Sequence, residues 1–252
     1  MAITGLGVGS GGGAVEESND NALVIPFSVQ LDADTIGIFG LVTDNITNNT
    51  GNNNEHVSAV DSQGQDWEKI HEHTAAGGGV GGGVTVSMWK RKTAVNLTLS
   101  DTITVTLSAN AVAKAARVYR FGVGAGNDLE LEDVAESATA GNGWGALSIS
   151  GLPNQEHLFI RFMGKESATN TDLTPTANWT TTGGNRSSSN GSTAVIVRGE
   201  FRITTGTNET SNPTLTISSD NVSVMAAFKE VAPAAGGQSP RTMHQQRLRR
   251  AA

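Results

Sequence analysis

Residues 84–92, VTVSMWKRK, set Val84, Val86, Met88 and Lys90 on one side of an extended chain and Thr85, Ser87 and Trp89 on the other. Apolar residues facing in and hydroxyls facing out is the pattern of a half-buried antiparallel strand. Residues 102–107, TITVTL, alternate in the same way, and 115–123, AARVYRFGV, place Ala116, Val118, Arg120 and Gly122 opposite Arg117, Tyr119 and Phe121. Clusters of turn-forming residues between these segments make them neighbouring strands.

Working outward, similar segments lie at 21–30, 35–42, 65–73, 144–150, 157–164, 193–204, 213–218 and 222–231. About ten short strands with polar turns between them predict an all-β fold, a single antiparallel β-sandwich of jelly-roll-like type. Pro26 cannot donate to a ladder and marks its strand as an edge or a bulge. The strand delivered by Asp61-Ser-Gln-Gly64 puts Trp67, Lys69 and His71 on one face and Asp66, Glu68, Ile70 and Glu72 on the other, a poor segregation that also predicts an edge. Residues 44–55, DNITNNTGNNNE, read as an exposed loop, and 128–138, DLELEDVAESA, as a loop or a single turn, although Leu129 and Leu131 equally fit a strand.

Composition supports the class. Thr 28, Ser 21, Asn 20 and Gly 31 make up 100 of 252 residues, while charged residues are 16%. Residues that favour strands or compete with helical hydrogen bonds exclude a helical bundle. The chain has no Cys, so a disulfide framework, a thiolate metal site and a Cys nucleophile are excluded. No apolar run approaches the roughly 18 residues of a membrane span, and the first residues lack the basic and apolar regions of a secretory signal.

Charge divides the chain into three parts. Residues 1–20 form a Gly-rich N-terminal arm, 21–231 the sandwich, and 232–252 a basic C-terminal tail holding Arg241, Arg247, Arg249 and Arg250 and no acid. The rest of the chain carries 13 basic and 24 acidic residues, a charge of −11. An acidic body argues against a nucleic-acid surface, and the four arginines are candidates for docking on an acidic protein neighbour. Both ends are expected to order on partners.

Motifs for chemistry are sparse. His71 and His73 flank Glu72 and share a strand face about 7 Å apart, a spacing that chelates a metal only if a third ligand arrives from elsewhere; none is visible, and a solvent-facing polar edge is the expectation. Gly7-x-Gly9-x-x-Gly12 follows no strand and opens no helix, Gly77–Gly83 lacks the Lys-Ser/Thr of a phosphate loop, and no G-x-S-x-G elbow occurs. The acids Asp32, Asp34, Asp128, Glu130, Glu132, Asp133 and Glu136 offer no spacing that picks out a glycosidase pair. Eight N-x-S/T triplets, starting at Asn45, Asn48, Asn96, Asn178, Asn185, Asn190, Asn208 and Asn221, read as strand and loop chemistry. Trp89 and Trp144, beside glycine-rich loops, are candidate ligand-facing aromatics, with burial between sheets as the plainer fate. No catalytic residue, metal or cofactor is expected.

The segments DSQGQDWEKI at 61–70, VSMWKRK at 86–92, DTITVTLS at 101–108, AARVYRFGV at 115–123, SISGLPNQEHLFIRFMGKE at 148–166 and VSVMAAFKEV at 222–231 together resemble β-sandwich proteins of tailed-bacteriophage particles, of the head-decoration or minor-tail type. The resemblance spans roughly residues 20–231. It implies a non-enzymatic virion part that assembles in multiple copies, as a homo-oligomer docked on capsid or tail proteins by its terminal arms. The alternative is a receptor- or glycan-binding tail-fibre module with 44–55, 77–83 and 180–192 as its variable loops.

Overall fold

The computed structural model describes residues 2–5, 13–77, 83–93, 95–142, 144–166, 174–187, 194–214 and 218–232. In chain order these hold the strands β1 (Thr4–Gly5), β2 (Gly13–Glu16), β3 (Asp20–Pro26), β4 (Ile36–Asp44), β5 (His56–Asp61), β6 (Glu68–Ala75), β7 (Val84–Lys92), β8 (Thr102–Ala111), β9 (Lys114–Gly122), β10 (Asp128–Asn142), β11 (Leu147–Glu166), β12 (Thr180–Arg186), β13 (Val195–Ser211) and β14 (Ser218–Val231). Every strand pairing is antiparallel. The all-β, sandwich-like class read from the sequence is the class of the structure.

Three sheets stack face to face. The middle one runs β1-β9-β4-β7-β6, with β2 also on β9; one outer sheet is β10-β14-β11-β13-β12 and the other is β3-β8-β5. A middle sheet has no solvent face, which explains β4: the run Ile36–Asp44 is buried at every position. Ile36, Ile38 and Val42 join Val84, Val86, Met88, Leu158, Ile160, Phe162, Val195, Val197 and Val224 in the core against the five-stranded sheet. Phe39, Leu41, Trp89, Ala116 and Val118 join Leu23, Ile25, Ile103, Val105 and Trp67 in a second core against the three-stranded sheet. Two glycines in β4 admit aromatic rings from the layers above and below. A Cβ on Gly40 would lie 2.1 Å from the Phe162 ring, and one on Gly37 2.6 Å from Trp67.

Several segments depart from the expectations. β7 is not half-buried: Thr85 and Ser87 lie inside, Thr85 bonded to Glu55 and Thr74 and Ser87 to His56 and Trp89. Residues 128–142 are not a loop but a strand that pairs with β14 from Asp128↔Val231 to Asn142↔Ser218; an edge position lets its acids reach solvent. Residues 144–150 and 157–164 belong mostly to one long strand, β11, whose register slips between Ser150 and Gln155. β5 and β12 carry no clear alternation. The described parts of the N-terminal arm pair within the chain, Thr4 and Gly5 opposite Gly122 and Phe121, and Gly13–Glu16 opposite Arg117–Lys114. Ile3 is 4% exposed and part of the main core. β6 and β3 are edge strands, as expected.

Candidate functional site

Chemistry-bearing side chains gather where the edge of the middle sheet, β6, meets the edge of the five-stranded sheet, β10. A register slip between Lys69 and His71 turns the successive residues Ile70 and His71 both toward β10. There the His71 Nε2 contacts Glu136 Oε2, and His73 Nδ1 lies 3.1 Å from the same oxygen, out of line for a hydrogen bond. Burial pushes the His73 imidazole below its ordinary value, against the pull of Glu136. Glu136 is thus the third group that spacing in sequence could not supply. One carboxylate oxygen fills the space between the rings, and among the described residues no cluster of three His, Cys, Asp or Glu side chains is placed to hold a metal ion.

Along the same seam a cleft of about 420 Å³ opens, lined by Glu68, Ile70, Lys90, Asp128, Leu129, Glu130, Leu131 and Val231. Ile70, Leu131 and Val231 supply its apolar side chains. Its acids are Glu68 and Glu130, largely exposed, and Asp128, partly exposed; Lys90 donates to the Leu129 carbonyl and lies 3.4 Å from Asp128 and 3.8 Å from Glu68, and Lys229 lies 3.6 Å from Glu130. The sequence offers no sign of this cleft, because its two walls, at Glu68 and Glu130, are far apart in the chain and meet only through the stacking of two sheets.

The nearest approach to a nucleophile and base is sealed. His56 Nδ1 is 2.6 Å from Ser87 Oγ and its Nε2 is 2.9 Å from Thr43 Oγ1. Both His56 and Ser87 are fully buried, and burial holds the imidazole neutral. Glu72 accepts the Glu55 and His56 amides, so it orients backbone and not the ring. Glu55, placed by the sequence in an exposed loop, is also fully buried: its carboxylate accepts the Ile46 and Thr47 amides at 2.9 and 2.8 Å and the Thr85 hydroxyl at 2.5 Å. This arrangement fastens the 44–55 segment. It offers no path for a substrate.

Both candidate tryptophans lie inside, which removes them as ligand-facing rings. Trp89 is 2% exposed, stacks on Phe39 and donates its Nε1–H to Ser87 Oγ at 2.7 Å. Trp144 is 1% exposed, packs on Met163 and donates to the Gly164 carbonyl at 3.0 Å. An indole whose one donor is satisfied by the fold is held there. The Trp144–Gly145 segment is further clamped by Arg161, which donates to both carbonyls at 2.7 and 2.9 Å and to Ser211 and Ser223. Burial pulls the Arg161 guanidinium down to about 10, opposed by Glu200.

The outer face of the three-stranded sheet is uncharged. The register aligns Val24, Thr104 and Val60 in one row, Ala22, Thr106 and Ser58 in the next, and Pro26 beside Thr102. Val24 is 51% exposed, and Val57, Leu99 and Val112 add exposed apolar surface on β5 and at the two ends of β8. Arg241, Arg247, Arg249 and Arg250 lie outside the described residues, as do residues 6–12 and 78–82 of the two glycine-rich stretches. Residues 180–186 are the edge strand β12 instead of a loop. No protein-family model and no curated protein matches the chain.

Proposed function

We propose that this chain is a non-enzymatic structural protein of a tailed-phage particle, decorating or connecting capsid or tail subunits in multiple copies. The uncharged outer face of β3-β8-β5 carries this reading. In a body of charge −11 it joins Val24, Val60, Thr102, Thr104 and Thr106 into one surface on a sheet backed by two more layers. A surface of valines and hydroxyls, rimmed by Val57, Leu99 and Val112, buries at little desolvation cost against a copy of itself or a particle neighbour. Support also comes from the segments between 61 and 231 that resemble virion sandwiches, and from interiors closed by packing in a chain without Cys. The recognition-module alternative loses the aromatic platforms that stack on sugars, since Trp89 and Trp144 are interior.

Sedimentation velocity over a hundredfold concentration range tests the surface. The native chain is expected to self-associate, and Val24→Asp with Thr104→Lys to remain monomeric with an unchanged melting temperature. Equal association of the native and doubly substituted chains would remove this face from the account.

A further inference from the structure

The acidic cleft between β6 and β10 has a ready occupant in the chain itself. Val231, the last residue of β14, lines the cleft, and Ala232 after it is the last of the described residues. Beyond it, residues 233–240, PAAGGQSP, carry no charge and form a spacer before Arg241. A linker of about 15 residues, the distance from Ala232 to Arg247, spans roughly 20 Å on average, enough to return to the cleft that it starts from. The sequence it delivers is Arg247-Leu248-Arg249, an apolar side chain between two cations. The cleft offers the complement: the apolar side chains of Ile70, Leu131 and Val231 beside the carboxylates of Glu68, Asp128 and Glu130. Lys90 lies near the Leu129 carbonyl, Asp128 and Glu68, and Lys229 lies 3.6 Å from Glu130; three carboxylates against two cations leave the rim net negative.

We infer that residues 241–250 of the same chain dock in this cleft, with Leu248 against Ile70, Leu131 and Val231 and Arg247 and Arg249 on Glu68 and Glu130. Tethering raises the local concentration of the segment to the millimolar range, so even a weak salt-sensitive contact is populated within one molecule. The inference stands apart from the virion reading. In a particle, the same basic segment leaves the cleft only where a neighbour offers a better acidic surface.

Limited trypsin digestion of the full chain, referenced to a free peptide of residues 233–252, reads the contact at Arg241 and Arg247. Cleavage tracks the undocked fraction when opening is fast. At low salt the expected result is cleavage about tenfold slower than in the peptide, independent of protein concentration, and restored by Glu68→Lys with Glu130→Lys or by roughly 0.5 M salt. Arg247→Gln with Arg249→Gln, which leaves the folded body untouched, should restore cleavage at Arg241 to the same degree. Cleavage at peptide rates in the native chain, or protection that survives both pairs of substitutions, would overturn the inference. Protection that grows with protein concentration would assign the segment to another copy and overturn it equally.

Discussion

Asp44 closes β4 in the main body of the fold, 3% exposed, with one oxygen accepting the Ala113 amide at 3.1 Å and the other without a hydrogen bond. Burial pushes its carboxyl up to about 7, aided by Glu166 and Glu17 and opposed by the Ala113 amide and Lys114. The folded state therefore holds this proton between about pH 4 and 7 while the unfolded chain releases it. The contribution is present below the unfolded value of 3.8 and is lost as pH rises through about 7. Asp44→Asn keeps an acceptor for Ala113 and removes the titration. Urea unfolding should find its stability relative to the native chain rising by on the order of 1–3 kcal/mol between pH 5 and pH 8. An equal difference at both pH values would refute the assignment. His73 acts with the opposite sign: its lowered value makes its contribution present above the unfolded value of 6.5 and lost as pH falls. Taking the difference between native and substituted chains removes that background. At this scale little was legible in advance. Trp89 and Trp144 stand beside glycine-rich segments in the sequence, but whether a ring meets solvent depends on which layers cover it. Glu136 gives no signal near His71 and His73, because a sequence separation of 65 residues lies between it and His71.

At the scale of elements, alternation identified β7, β8 and β9 from the sequence, because period two is imposed by the backbone whatever lies above the sheet. It could not say that Thr85 and Ser87 are inside. The unbroken run IGIFGLV in β4 was the available signal for a strand covered on both faces. β10 went unrecognised because Glu130, Glu132, Asp133 and Glu136 resemble a solvated loop, whereas an edge strand tolerates them. The described ends of the N-terminal arm, Thr4–Gly5 and Gly13–Glu16, depart from the sequence reading. Low strand propensity describes an isolated segment, and pairing with β9 together with the burial of Ile3 overrides it. Ile3→Ala should accordingly lower the unfolding free energy of the whole protein by about 2–4 kcal/mol, measured by urea denaturation. A change under roughly 0.5 kcal/mol, the level of a surface substitution, would mean that β1 is not part of the core.

At the scale of the molecule, the third layer was hidden from the sequence. Alternation tells how many faces a strand has but not how many sheets share them, and strand order follows from distant pairings such as Thr4 with Gly122 and Asp128 with Val231. The stack has a functional consequence. Its middle sheet gives up both faces to packing, so the surfaces left for work are the outer faces, the β6/β10 seam and the terminal segment. One outer face is uncharged and the seam is acidic. Under the proposed virion role, these are the surfaces that would meet copies and neighbours. The most direct test is to purify particles of a phage encoding the chain on a density gradient and measure the chain in them by quantitative immunoblot and antibody-gold electron microscopy. The account predicts that the chain bands with the particles in many copies and labels their surface at regular sites. A chain recovered only in the soluble fraction, with unlabelled particles, would contradict it.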